Sequence, residues 1–166
     1  MNNKKFVLAV YVDNKAVVLT RVSSMFTRRG FNIAAITSGD TDQPEYSRIT
    51  IAMSGDEYIK EQLINQLKKL HVVKKVMVLD DEPIMRELML IKVRNKANDR
   101  SEIMTAVDVF RASVIDYSPE AMCIEVTGSP SKMDAFVKLM QPFGILEMCR
   151  TGIVALDRGA TTLLNK

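Results

Sequence analysis

The chain has 166 residues, a net charge of +3, and 47% hydrophobic against 26% charged side chains. That balance is ordinary for a globular protein, and no apolar run approaches the roughly 18 residues of a membrane span. Basic side chains divide 12 and 11 between the two halves, so no basic stripe marks a nucleic-acid binder.

Met1-Asn2-Asn3-Lys4-Lys5 leads into a strand-like run without a signal-peptide pattern, so the cytoplasm is the expected compartment. Phe6 to Val12 is β-rich and apolar on both faces, as in a central covered strand. A polar loop, Asp13-Asn14-Lys15-Ala16, follows. Val18, Leu19, Val22, Met25 and Phe26 then share helical spacing, which predicts a helix over about Val17 to Arg29. Gly30 reads as its C-cap, with Arg28 and Arg29 at the end that favours cations. The start of this helix lies in the loop, where free backbone N–H groups could receive a small carboxylate. A plain strand–helix connection explains the same pattern, and both readings stay open.

Asn32 to Ser38 and Ser47 to Met53 read as strands around the turn cluster Gly39 to Glu45. Asp40, Asp42 and Glu45 lack calcium-loop spacing and read as a solvated hairpin. Gly55-Asp56-Glu57 opens a second helix with Ile59, Leu63, Leu67 and Leu70 on one face, and Val72 to Leu79 is a fourth strand. Asp80-Asp81-Glu82-Pro83 marks a linker.

The order then repeats. Leu88 to Val93 is a strand, and Asp99-Arg100-Ser101-Glu102 has capping-box spacing ahead of Ile103, Val107 and Phe110. Val114 to Tyr117 and Ala121 to Val126 are strands about a Ser118-Pro119-Glu120 turn. Ser129 caps a helix with Pro130 in its first turn and Met133, Phe136, Val137 and Met140 on one face. Ile145 to Leu156 reads as one last strand with Gly152 as a bulge. The fold class is therefore α+β: two tandem ferredoxin-like βαββαβ domains, 1–79 and 86–166, joined by a linker at 80–85, with antiparallel sheets and helices on one face.

Chemistry of a self-sufficient enzyme is hard to find. Phosphate-binding, metalloprotease and nucleophile-elbow motifs are all missing. His71 is the single histidine, and Cys123 and Cys149 lack metal-ligand spacing and read as small core residues. Glu87, Glu125 and Glu147 read as edge or outward-facing strand residues. No catalytic or metal site is expected, and a binding or regulatory role is favoured.

Several segments in order carry a more specific signal. They are Leu19-Thr20-Arg21-Val22, Arg29-Gly30-Phe31-Asn32-Ile33, Arg86-Glu87-Leu88, Phe110-Arg111-Ala112-Ser113-Val114, Lys132-Met133-Asp134-Ala135-Phe136 and Arg150-Thr151-Gly152-Ile153-Val154. On these the chain resembles the small, regulatory subunits of acetolactate synthase over essentially its whole length. The resemblance implies an N-terminal ACT domain, a C-terminal ACT-like domain, and a dimer through the ACT domains. It also implies a large catalytic partner, a transferase that holds thiamine diphosphate, Mg and FAD and forms 2-acetolactate on the route to valine, leucine and isoleucine. The small subunit of such a pair raises that activity and confers feedback inhibition, usually by valine. In that family the effector lies against the loop after the first strand and the start of the second. Asp13, Asn14, Val17, Val18, Leu19, Asn32 and Ile33 match those positions. The family loop usually carries glycine, often after proline, where this chain has Ala16-Val17. A β-branched residue disfavours φ > 0 and fills space, so valine is expected to bind weakly, or another effector or none to be used. A stand-alone tandem-ACT amino-acid sensor acting on another partner is the alternative.

Overall fold

A computed structural model describes residues 4–31 and 33–165. Its contacts divide the chain into two units, 1–84 together with 153–166, and 85–152.

The first unit runs β1 (Lys4–Asp13), α1 (Val18–Arg29), β2 (Ile33–Asp40), β3 (Tyr46–Gly55), α2 (Glu57–Lys68) and β4 (Val73–Val78). The sheet order is β2-β3-β1-β4, with every neighbouring pair antiparallel. Register places Leu8 opposite Ile51 on one side and Val78 on the other. Alternation sends Leu8, Val10, Val12, Ile49, Ile51 and Met53 to one face. There they meet Val18, Val22 and Phe26 of α1 and Leu63 and Leu67 of α2. Each such side chain contributes about 2 kcal/mol on burial, which is what holds two twelve-residue helices that would be marginal alone. Helix ends match their signals. Gly30 adopts φ +67° and donates its N–H to the Phe26 and Thr27 carbonyls, while Asp56 accepts from the Ile59 N–H at 2.9 Å.

The second unit repeats the plan with β5 (Ile84–Arg94), α3 (Arg100–Val109), β6 (Ser113–Tyr117), β7 (Ala121–Gly128), α4 (Pro130–Met140) and β8 (Ile145–Arg150), in sheet order β6-β7-β5-β8. Met89, Ile91, Ile103, Ile124, Met133 and Phe136 are among its fully buried core. Ser129 accepts from the Lys132 N–H and Pro130 opens α4, as the spacing predicts. Both halves are thus ferredoxin-like.

Four expectations change. Asp99 makes no capping-box bond. Its backbone is already helical at φ −94°, ψ −13°, whereas a capping side chain needs an extended N-cap. The strand expected over 145–156 stops at Arg150, because Thr151 turns to bond Leu88 and Gly152 takes φ +80°. By its contacts, the segment 153–166, which holds β9 (Val154–Leu156), groups with the first unit. Arg48 donates to the Ala155 carbonyl at 2.6 Å, the Asp80 N–H to Asp157 at 2.8 Å, and Lys75 to the Leu164 carbonyl at 3.2 Å. Burial lowers the Arg48 pKa, partly offset by the Asp157 charge. Cys149 is exposed and Cys123 half-buried, both as free thiols. They lie opposite Leu90 and Lys92, whose side chains alternate away from the helix-facing Met89 and Ile91.

Glu87 is the fourth. It is 6% exposed on the helix-facing side and accepts from Arg150, which also donates to Asp134 of α4 at 2.7 Å. Burial alone would lower the Arg150 pKa, but its hydrogen bonds and charge contacts with Glu87 and Asp134 raise it. Removing Arg150 would leave a buried carboxylate unpaired, so Arg150→Ala should cost about 3 kcal/mol in a chemical-denaturation midpoint shift. Arg111 supplies a second check. It holds φ +49° at the end of α3, where Gly30 stands after α1. Arg111→Gly should raise stability by up to about 1 kcal/mol, while Gly30→Ala should lower it by about 1 kcal/mol.

Candidate functional site

The site expected on sequence grounds is built from the end of β1, the loop 14–17 and the first turn of α1. Asp13 closes the strand: its N–H donates to the Val72 carbonyl at 2.9 Å, and its carboxylate pairs with Lys74 at 3.0 Å and Lys15 at 3.9 Å. Asn14 leaves the sheet. Its backbone N–H donates to the Glu45 carbonyl at 2.8 Å, and its side-chain Nδ2 to the Pro44 carbonyl at 3.0 Å. A carbonyl only accepts, so this bond fixes which end of the amide is nitrogen. It leaves Oδ1 as an acceptor on an exposed residue. The chain then turns, with the Val18 N–H donating to the Lys15 carbonyl at 3.1 Å.

Val17 is the N-cap of α1 at φ −82°, ψ −7°, and its side chain is 52% exposed. The backbone objection to valine therefore falls away. This loop is right-handed at 17 and asks for no φ > 0. What remains is the volume of an isopropyl group beside the loop. Val18 points into the core, whereas Leu19 is 46% exposed and faces out with Thr20. Of the two aliphatic residues expected to meet a ligand side chain, Leu19 is the one at the surface. Ile33 opens β2 and packs half-buried on the first core; Asn32 lies outside the described residues.

The helix start has no side-chain cap and no acidic residue in its first turn. The amides of Leu19 and Thr20 precede the first carbonyl that intrahelical geometry could offer them. Lys15, Lys74 and the Arg21–His71 pair, whose nitrogens approach to 2.8 Å, make the surroundings basic. An anion such as a carboxylate suits this place, and the Asn14 Oδ1 acceptor beside it suits a cation such as an ammonium. Leu19, Thr20, Ser23, Ser24, Thr27 and Arg28 line a shallow depression that continues along the outer face of α1.

The β2–β3 hairpin is the part that sequence reasoning missed. Thr41 Oγ1 bonds the Gln43 N–H at 3.1 Å and the Tyr46 carbonyl at 3.0 Å, and the Tyr11 hydroxyl reaches Gln43 Oε1 at 3.0 Å. These bonds fix the carbonyls that hold Asn14. The signal was the register, which sets Asp13 opposite Tyr46 and so brings the hairpin end against the loop. Among the described residues, no group of three His, Cys, Asp or Glu side chains could hold a metal, and no helix is long and apolar enough to cross a membrane.

If the Asn14 amide sets the loop, Asn14→Asp should disturb it. The carboxylate cannot donate to Pro44 and would face that carbonyl. A loss of about 1–2 kcal/mol and faster amide exchange at residues 14–18 are expected by denaturation and hydrogen exchange.

Comparison with known proteins gives one answer for both units. Residues 8–75 match the model of an AHAS small subunit-like ACT domain, and residues 86–159 that of the small subunit of acetolactate synthase. The acetolactate synthase small subunit of Mycobacterium bovis is 44% identical over 160 residues, covering 96% of this chain and 95% of that protein. That of Mycolicibacterium smegmatis is 46% identical over 153 residues, covering 92% and 90%. The crystal structure of the acetolactate synthase small subunit from Thermotoga maritima matches with a TM-score of 0.90 at 40% identity, over 95% of this chain and 99% of that one.

Proposed function

We propose the function from one premise: the chain belongs to the acetolactate synthase small-subunit family. It is a regulatory subunit. In our reading it binds the large catalytic subunit, raises its formation of 2-acetolactate from pyruvate, and relays feedback by a small amino acid. The observation that carries this reading is that the two family models match in order, one on each half of the chain. Thiamine diphosphate, Mg and FAD are assigned to the large subunit, and the complex to the cytoplasm and to the synthesis of valine, leucine and isoleucine.

The effector would sit at the first-unit loop. Its carboxylate would meet the basic surroundings and free amides at the start of α1, its ammonium the Asn14 Oδ1, and its aliphatic group Leu19 and Val17. Asp13 and Val18 act from behind, one holding Lys74 and Lys15, the other anchoring the helix in the core. Ile33 at the start of β2 would complete the site, together with Asn32 by the family resemblance. Homodimerisation through the first unit is supported by β2, an eight-residue edge strand whose backbone groups are a template for a second copy. The small side chains Ser23, Ser24 and Thr27 on the outer face of α1 would permit close approach beside it.

Because Val17 imposes bulk and no backbone strain, valine should still act, but weakly. The test is acetolactate formation by the cognate large subunit, with and without this chain, across a valine titration. Stimulation by this chain, reversed only at high valine, is expected. Val17→Gly should lower the half-inhibitory valine concentration about tenfold, equivalent to roughly 1.4 kcal/mol. No stimulation would overturn the regulatory partnership and favour a stand-alone sensor. Inhibition by valine that Val17→Gly leaves unchanged would overturn the assignment of weak binding to that side chain.

A further inference from the structure

The two units repeat one loop, and they finish it differently. Asn14-Lys15-Ala16 after β1 returns as Asn95-Lys96-Ala97 after β5, and Pro44-Glu45 in the first hairpin as Pro119-Glu120 in the second. The hydrogen bonds repeat as well. The Asn95 N–H donates to the Glu120 carbonyl at 2.9 Å, as Asn14 does to Glu45, and its Nδ2 reaches the Ser118 carbonyl at 2.6 Å, one residue before the position that Pro44 holds for Asn14. The Asp99 N–H donates to the Lys96 carbonyl at 3.1 Å, as Val18 does to Lys15. One constant offset carries Asn14 to Asn95, Leu19 to Arg100 and Gly30 to Arg111.

The difference lies on the remaining oxygen. In the second unit Arg100 Nε donates to Asn95 Oδ1 at 3.0 Å, and the guanidinium lies 5.6 Å from the centre of the Tyr117 ring. Asn95 is thereby only 5% exposed. In the first unit the equivalent of Arg100 is Leu19, which has no donor, and the equivalent of Tyr117 is Asp42. Asn14 stays exposed, and among the described residues none donates to its Oδ1.

We propose that Arg100 is a tethered occupant of the second unit's loop. Its guanidinium takes the place that the ammonium of a free amino acid takes in the first unit. The second loop is therefore permanently closed, and a diffusible effector reaches the first loop alone. This rests on the effector reading above, yet its first consequence needs no effector. A cation held on Asn95 by a covalent tether is present at effectively constant concentration, so it orders the loop at all times. The planar guanidinium contributes both the hydrogen bond and the stacking on Tyr117, and lysine can supply only a charge and a bond.

The experiment is hydrogen exchange on the intact protein for three variants, with L-valine titrated by calorimetry. Arg100→Ala should speed amide exchange at residues 95–99 at least tenfold, and Arg100→Lys should recover part of the protection. Unchanged exchange in Arg100→Ala would overturn the proposal. The reverse graft, Leu19→Arg, sets a guanidinium beside Asn14 Oδ1 with Asp42 in place of the ring. It should slow exchange at 14–18 and raise the dissociation constant for L-valine at least tenfold. Slower exchange with unchanged valine binding would also overturn the proposal, since occupant and ligand would not share a place. Should the unaltered chain bind no valine while Arg100→Ala still loosens 95–99, the tethered occupant stands and the effector reading fails.

Discussion

An asparagine side chain tied to the carbonyls of a neighbouring hairpin governs the geometry of both halves of this chain. At the end of the first strand the backbone leaves a sheet that satisfied its polar groups, and it must do so again before the helix begins. Asn14 solves this by donating from its backbone to Glu45 and from its side chain to Pro44. With both donors committed, the amide has one orientation, and its oxygen is left as an acceptor. The helix then needs no side-chain cap of its own, because the loop turns through the Val18 to Lys15 bond. Everything proposed for recognition depends on that fixed amide.

Most of the fold was legible because burial enforces periodicity. Val18, Val22, Met25 and Phe26 all reach the first core, and Met133, Phe136 and Met140 the second, as their spacing requires. Leu19 fell within the same spacing but at the margin of the stripe, which left it at the surface. Two of the misread places share a cause: a local pattern was satisfied by a distant partner. Glu87 looked like an outward strand glutamate until Arg150 and Asp134, remote in sequence, closed around it. The last strand looked continuous until Thr151 bonded back to Leu88 and residues 153–166 joined the first unit. The site was half legible. Its loop is visible in the resemblance, but the hairpin that holds it is a matter of register, and the conformation of Val17 had to be seen.

That return of the tail means the chain passes between the two units twice, near 84 and near 152. Arg48, at the centre of the first sheet, is half-buried under the tail and bonds the Ala155 carbonyl. A tail held by Arg48, Asp157 and Lys75 is therefore part of the first unit's scaffold. The two loops are alike in the asparagine that ties each to its hairpin and differ at its oxygen, which Arg100 bonds in the second unit.

The most direct test compares amide exchange across the whole wild-type chain with and without saturating L-valine. The account predicts slowing confined to the first unit, centred on residues 13–20 and the β2–β3 hairpin, with residues 95–100 unmoved. Slowing of equal size at 95–100, or no slowing at the first loop, would contradict it.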